Sequence, residues 1–348
     1  MPSSPKAGLA DYPAQLLSMG KRLMASGRMG DAATLVRNAV VARPDDHLIR
    51  AIAEAISTHG VPKFHSSMLR DGPRNSAYRR GIEAAAPGCT VLDIGTGSGL
   101  LAMMAARAGA EHVYACEQDV RLATTAREII AKNGLSDKIT VLHANSNQLD
   151  RDKDLGGGVN LVVSEIFDSN LLGEGVLASL RDARQRLCLP EATFLPGKAS
   201  IRGALVEIES SSEKDDIDLF SDVEGFDISP FQRHLRRHRS YESGDPRLRV
   251  LSEPVDLFAF DFLRGIGLED RTEINCISNG GRVTGILQWI AFETGPGVHY
   301  ENAAQAGARS HWALRHYACE TPIDTHAGDS LAIRAWRDDS SMFCWIER

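Results

Sequence analysis

At roughly 150 residues per domain, 348 residues leave room for two domains and an appendage, which excludes a mini-protein held together by disulfides or metal. Apolar residues make up 43% and charged residues 24%, with 31 Gly and 14 Pro, so wholesale disorder and collagen-like repeats are excluded too. Thirty-nine Lys and Arg against 46 Asp and Glu give a net charge of −7, which lacks the basic field that attracts nucleic acid or anionic lipid and suits a cationic substrate better.

The first residues, MPSSPKAGLADYPAQ, contain no apolar signal core, and no run approaches the roughly 20 apolar residues that span a bilayer. A cytoplasmic protein that engages neither membrane nor nucleic acid is expected. Residues 12–57 carry Leu, Met, Ala and Val at helical spacing, with a break at Gly27 to Gly30 and a stop at Arg43-Pro44-Asp45. This resembles one helix-turn-helix unit of the tetratricopeptide kind. One such unit cannot bury both of its faces, so it must pack on the main body or on a second copy. It either completes a core or serves as a partner-binding module.

From Thr90 the pattern becomes strand-helix alternation. VLDI (91–94), HVYACE (112–117), TVLHA (140–144) and NLVVSE (160–165) read as strands, with helices over 100–108, up to about Asn133, and near Val176 to Leu187. Short β-α units of this kind argue for a parallel, doubly wound sheet whose ligand lies at the carboxyl ends of the strands. After Pro196 helical spacing disappears. ASIRGALVEIE, RVTGILQWIAFE, HWALRHYACE and SLAIRAWR read as separate strands of an antiparallel β domain. A charge-segregated insert lies between them, acidic from Glu209 to Glu224, then crowded with Arg233, Arg236, Arg237, Arg239, Arg247 and Arg249. It is either a solvated loop or an arm that reaches a second subunit. The six cysteines (Cys89, Cys116, Cys188, Cys276, Cys319, Cys344) are scattered, so reduced thiols and no metal are expected.

Asp93-Ile94-Gly95-Thr96-Gly97-Ser98-Gly99 stands at the first strand-to-helix turn, where glycines allow backbone amides to approach a ligand. A nicotinamide site prefers G-x-G-x-x-G, whereas D-x-G-x-G-x-G is the form of S-adenosylmethionine-dependent methyltransferases. Glu117 at the end of the second strand suits the ribose hydroxyls. Glu165 and Glu174 lie nine residues apart on a loop that starts at a strand end. Two facing carboxylates repel unless a cation separates them, and a planar guanidinium satisfies both with paired N–H donors.

On these residues the sequence resembles the protein arginine methyltransferases over most of 60–348. Met68-Leu69-Arg70-Asp71-Gly72-Pro73-Arg74, continuing to Tyr78, resembles the family's M-L-x-D-x-x-R-x-x-x-Y element. Ser164 to Glu174 resembles its double-E loop, Ser310-His311-Trp312 its T-H-W loop, and the GFDIS at Gly225 its dimerisation arm. Phe167-Asp168 stand where the usual loop has Met-Gly, as in the monomethylating, type III branch.

The resemblance implies a Rossmann-like class I methyltransferase domain at 61–196, after a helical extension at 1–60. A β-barrel-like domain at 197–348 follows, with an arm at about 220–250 and assembly as a homodimer. It implies S-adenosylmethionine held by Met68, Arg74, Asp93, Gly95, Gly97, Gly99, Glu117, Asn145 and Ser146, with Arg74 on the cofactor carboxylate. Arginine, free or within a protein, is bound by Glu165, Glu174, Phe167, Asp168 and Trp312. Glu165, Glu174, His311 and Asp71 carry the reaction. His311, paired with Asp71, either accepts the proton or holds the N-terminal lid against the β domain. Monomethylarginine is the expected product. A helical binding module with an inactive methyltransferase body, or transfer to another nitrogen, are the competing readings.

Overall fold

The computed structural model describes residues 12–59, 64–209, 222–234, 238–305 and 310–347. Residues 1–11, the acidic stretch 210–221, and Arg236 and Arg237 therefore lie outside the described residues. The N-terminal segment folds as three helices, α1 (Pro13–Ala25), α2 (Met29–Ala42) and α3 (His47–Ser57). Gly27 takes a positive φ of 74° where α1 ends, and Asp46 caps α3 by accepting from the amides of Leu48 and Ile49. The third helix alters the expectation of a lone two-helix unit. Leu16, Val36, Ile49, Ile52 and Ile56 close into a separate buried cluster, so the extension covers one face by itself. It meets the main body where Gly30 abuts Val120 and Arg37 reaches Glu128 at 2.8 Å.

Two helices, α4 (Phe64–Leu69) and α5 (Gly72–Ala85), lead into the first sheet, formed by β1 (Thr90–Ile94), β2 (His112–Glu117), β3 (Ile139–His143), β4 (Val159–Ser164) and β5 (Cys188–Leu195). All pairings in it are parallel, in the order β3-β2-β1-β4-β5. The connecting helices are α6 (Leu100–Arg107), α7 (Val120–Lys132), the short α8 (Arg151–Asp154) and α9 (Val176–Arg186). The strand order reverses at β1, which places the ligand crevice over the ends of β1, β2 and β4. Both faces of β1 and β4 are buried, as near-continuous apolar runs require.

The second sheet is antiparallel. Its members are β6 (Lys198–Ile208), β7 (His238–Tyr241), β8 (Leu248–Val250), β9 (Val255–Asp261), β10 (Asp270–Gly295), β11 (Val298–Glu301), β12 (Leu314–Arg337) and β13 (Met342–Glu347). The main path runs β13-β12-β10-β6-β8, with β7, β9 and β11 attached as branches. From Leu314 on, HWALRHYACE and SLAIRAWR belong to one strand, β12, rather than two, because β10 pairs with it on both sides of residues 319–322. Register shifts between Ile277 and Asn279 and between Val283 and Gly285 let these strands bend without breaking. Among the described residues no pairing joins the ends of this branched sheet, so the expected barrel is not closed. Within the expected arm, β7 and β8 pair into this sheet, and residues 222–234 hold the GFDIS turn followed by a short 3₁₀ helix.

Helix α5 joins the two sheets. Thr294 of β10 donates to the Ala77 carbonyl at 2.7 Å, and a Cβ on Gly81 would come within 2.2 Å of the Thr294 carbonyl oxygen. No helix among the described residues is long and apolar enough to cross a membrane. All six cysteines are free, and burial pushes the Cys116 thiol up to about 12 and Cys188 up to about 11.

Candidate active site

The turn after β1 shapes the first half of the site. Gly95, Gly97 and Gly99 have φ of 72°, 53° and 82°, which only glycine adopts readily, and Gly95 sits so close to Ile166 that a Cβ would come within 2.5 Å. Asp93 was expected on the cofactor but does not line the cavity. Its Oδ2 accepts from Thr96 Oγ1 at 2.5 Å and from the Ala102 amide at 3.1 Å, holding the loop to α6, while burial pushes its pKa up to about 6. Gly99 likewise faces Ile130 rather than the cavity.

A cavity of about 370 Å³ opens beside this turn at the strand ends. Met68, Gly95, Gly97, Glu117, Asn145 and Ser146 line it, as expected, together with Gln118, which sequence reasoning missed. Glu117 ends β2 with its carboxylate fixed by the Gly97 amide at 3.0 Å and the Asp119 amide at 2.9 Å. Gln118 accepts from Asn145 Nδ2 at 3.0 Å, and its place directly after Glu117 was the available signal.

Glu165 and Glu174 border both this cavity and a second of about 210 Å³, whose other walls include Phe167, Asp168, Trp312 and Arg315. The double-glutamate loop is closed by Asp168, whose Oδ1 accepts from the amides of Asn170 and Gly173. Trp312 donates through Nε1 to the Phe167 carbonyl at 2.7 Å, and the Ala313 amide donates to Ser169, so the β domain clamps the loop. Burial, then the nearby Glu165 and Asp168 carboxylates, push Glu174 up to about 7. As a residue Glu174 is exposed, while its carboxyl group stands in the cavity mouth among other acids, and these raising effects outweigh the opposing pull of His311.

Arg74 does not line the large cavity. Its guanidinium is buried, donating to Glu165 Oε2 at 2.6 Å and to Asn75 at 2.7 Å, and packing over the Tyr78 ring. Tyr78 in turn donates to the Ser164 carbonyl at 2.8 Å. Asp71 caps α5 by accepting from the Arg74 amide. It also accepts from the His311 amide at 3.2 Å and lies 3.0 Å from His311 Nδ1. Burial alone raises the Asp71 pKa, but these hydrogen bonds prevail and lower it. His311 Nε2 stands 3.5 Å from Glu165. Burial works against its charge, yet the Asp71 and Glu165 carboxylates raise its pKa. Tyr300, another missed residue, has its hydroxyl 3.1 Å from Asp71 and 2.8 Å from Ser310. No motif marks it, since it arrives from β11.

Comparisons with known proteins bear on the family and the fold. Residues 82–194 match the family model described as ribosomal protein L11 methyltransferase (PrmA). An arginine N(omega)-methyltransferase of Streptomyces achromogenes subsp. streptozoticus is 40% identical over 288 residues, which cover 81% of this chain and 78% of that protein. Protein arginine N-methyltransferase 7 of Oryza sativa subsp. indica is 32% identical over 268 residues, covering 70% of this chain and 37% of that protein, so the chain spans well under half of such relatives. In fold, the Trypanosoma brucei PRMT1 enzyme-prozyme heterotetrameric complex with AdoHcy superposes with a TM-score of 0.72 at 21% identity, over 84% of this chain and 100% of that one. Arabidopsis thaliana protein arginine methyltransferase 10 gives 0.64 at 21% identity, over 81% and 96%. The chain belongs to the protein arginine N-methyltransferase family.

Proposed function

We propose that this family member moves a methyl group from S-adenosylmethionine to a terminal guanidino nitrogen of arginine and stops at monomethylarginine. The observation that carries this reading is that Glu165 and Glu174 form the wall shared by the two cavities, with acids facing the acceptor side. The donor set of the larger cavity fits the cofactor. A glycine turn with no room for a Cβ at Gly95, the Glu117 carboxylate at a strand end and the Asn145 and Ser146 backbone suit a nucleoside with ribose hydroxyls and no pyrophosphate. When bound, S-adenosylmethionine supplies an electrophilic methyl group on a sulfonium.

The chain's own residues then have three tasks. A guanidinium is a poor nucleophile, with a pKa above about 12.5, so one nitrogen must be oriented and its charge drawn to the others. Glu165 and Glu174 do this with paired acceptors, and they stabilise the extra positive charge that develops during transfer. As the nitrogen–carbon bond forms, the nitrogen sheds a proton. Glu174, pushed up to about 7 by burial and its acidic neighbours, is the acceptor best matched to neutral pH. His311 acts chiefly as an anchor, since both its amide and Nδ1 engage Asp71 at the start of α5 and tie the β domain to the segment carrying Met68. Phe167, buried against Phe292, supports monomethylation by narrowing the acceptor cavity. Phe226, Ile228 and Phe231 expose apolar surface at and beside the GFDIS turn, which supports a homodimer built through this arm.

Incubation with methyl-labelled S-adenosylmethionine and arginine, followed by mass spectrometry of the product, tests the reading. Label in monomethylarginine is expected, and no transfer to any guanidine would overturn it.

A further inference from the structure

The acceptor cavity contains a cation that the motifs do not account for. Arg315, near the start of β12 and four residues beyond His311, lines it together with Glu165, Glu174, Asp168, Phe167 and Trp312. It is the one arginine or lysine on that wall among the described residues. Its Nη1 donates to Ser240 Oγ at 2.9 Å, and its Nε is buried without a hydrogen-bond partner. Among the described residues no carboxylate stands within ion-pair distance of it. A partly buried guanidinium is costly unless an anion or a full set of acceptors meets it, so its place facing a ligand cavity calls for an anionic ligand group.

The cavity is thus bipolar, with carboxylates at one part of its wall and a guanidinium at another. Free L-arginine has matching polarity, a cation at the side-chain end and a carboxylate at the other. Arginine inside a polypeptide presents a neutral amide there, and basic flanking residues would be repelled by Arg315. We propose that Arg315 binds the α-carboxylate of free L-arginine, so that the site takes the amino acid in preference to arginine within a protein. The inference rests on the arginine methyltransferase reading above. Charge-assisted pairing gives Arg315 the planar, paired donors that suit a carboxylate.

Steady-state kinetics of the full chain with L-arginine, with agmatine, which has the same guanidino chain but no carboxylate, and with a peptide carrying an internal arginine provide the test. The wild type should prefer L-arginine to agmatine in kcat/KM by roughly ten- to a hundred-fold, the range of one charged hydrogen-bonded contact. Arg315→Met should erase that preference through the KM for L-arginine, and Arg315→Lys should keep part of it, with unfolding temperature as the control for folding. Equal use of agmatine and L-arginine by the wild type, or an unchanged preference in a folded Arg315→Met, overturns the assignment. Preference for the peptide overturns it as well while leaving arginine methylation standing. No transfer to any of the three removes the underlying reading and the assignment together.

Discussion

Arg74 and Glu165 form a buried ion pair, with Nη2 and Oε2 2.6 Å apart and side chains only 2% and 6% exposed. One was expected on the cofactor and the other on the substrate, so a single contact couples the two halves of the site. Breaking a buried pair from one side leaves an uncompensated charge, which costs roughly 3–5 kcal/mol. Arg74→Ala should therefore lower the unfolding temperature as well as weaken cofactor binding. Calorimetry and cofactor titration check both, and a variant as stable as wild type would show that water solvates Glu165 without penalty.

Glu165→Gln and Glu174→Gln keep the shape of the loop and remove its charge. Turnover should fall by roughly a hundred-fold or more in each, the scale of losing one preorganised electrostatic contact to a transition state. Cofactor affinity should hold for Glu174→Gln, which has no bond to Arg74, and change more for Glu165→Gln, which does. Isothermal titration separates the two.

The pH dependence follows from Glu174, which burial and its acidic neighbours push up to about 7. Between its ordinary range and about 7 the folded, substrate-free protein holds a proton there that the unfolded chain has lost, so this group subtracts stability as pH rises through that window. Arginine binding demands the ionised form. The kcat/KM for arginine should climb as pH rises and level off above about 7, and a flat pH–rate profile across that region would contradict the assignment.

Phe167→Met restores the residue type usual for the family at this place in the loop and trims the wall of the acceptor cavity. Dimethylarginine should appear in the product of long incubations, detected by mass spectrometry. Its continued absence would move product control to another wall residue.

Gly81 lies where α5 meets β10, with the Thr294 carbonyl oxygen 2.2 Å from any added Cβ. Because the obstacle is backbone, it cannot swing aside. Gly81→Ala should cost about 1–3 kcal/mol or more and loosen the joint between the two sheets, seen as a lower denaturation midpoint. An unchanged midpoint would mean that the sheets shift freely against each other.

The periodic signals were local and read well. The strands at 91–94, 112–117, 140–144 and 160–165 and the helices between them lie within a residue or two of their expected bounds, because short apolar runs and helical periodicity are written into neighbouring residues. The third N-terminal helix and the continuity of β12 were harder to see. The former needed the packing of Ile49, Ile52 and Ile56 against Leu16 and Val36, and the latter needed β10 to pair on both sides of the irregularity that holds Thr321-Pro322.

By itself, the sequence determined the chemical types at the site: a glycine turn, an acid at a strand end and two glutamates on one loop, while the His311–Asp71 pair was implied only by the family resemblance. Those follow from short motifs, in which residue type and spacing are enough. Only the tertiary structure decided who meets whom. It turned Asp93 inward to hold a loop, joined Arg74 to Glu165, brought Tyr300 to Asp71 and set Arg315 on the acceptor wall with no carboxylate within ion-pair distance among the described residues. Contacts between distant segments depend on how two sheets dock through α5, and that docking is a sum of many weak packing terms that no local pattern records.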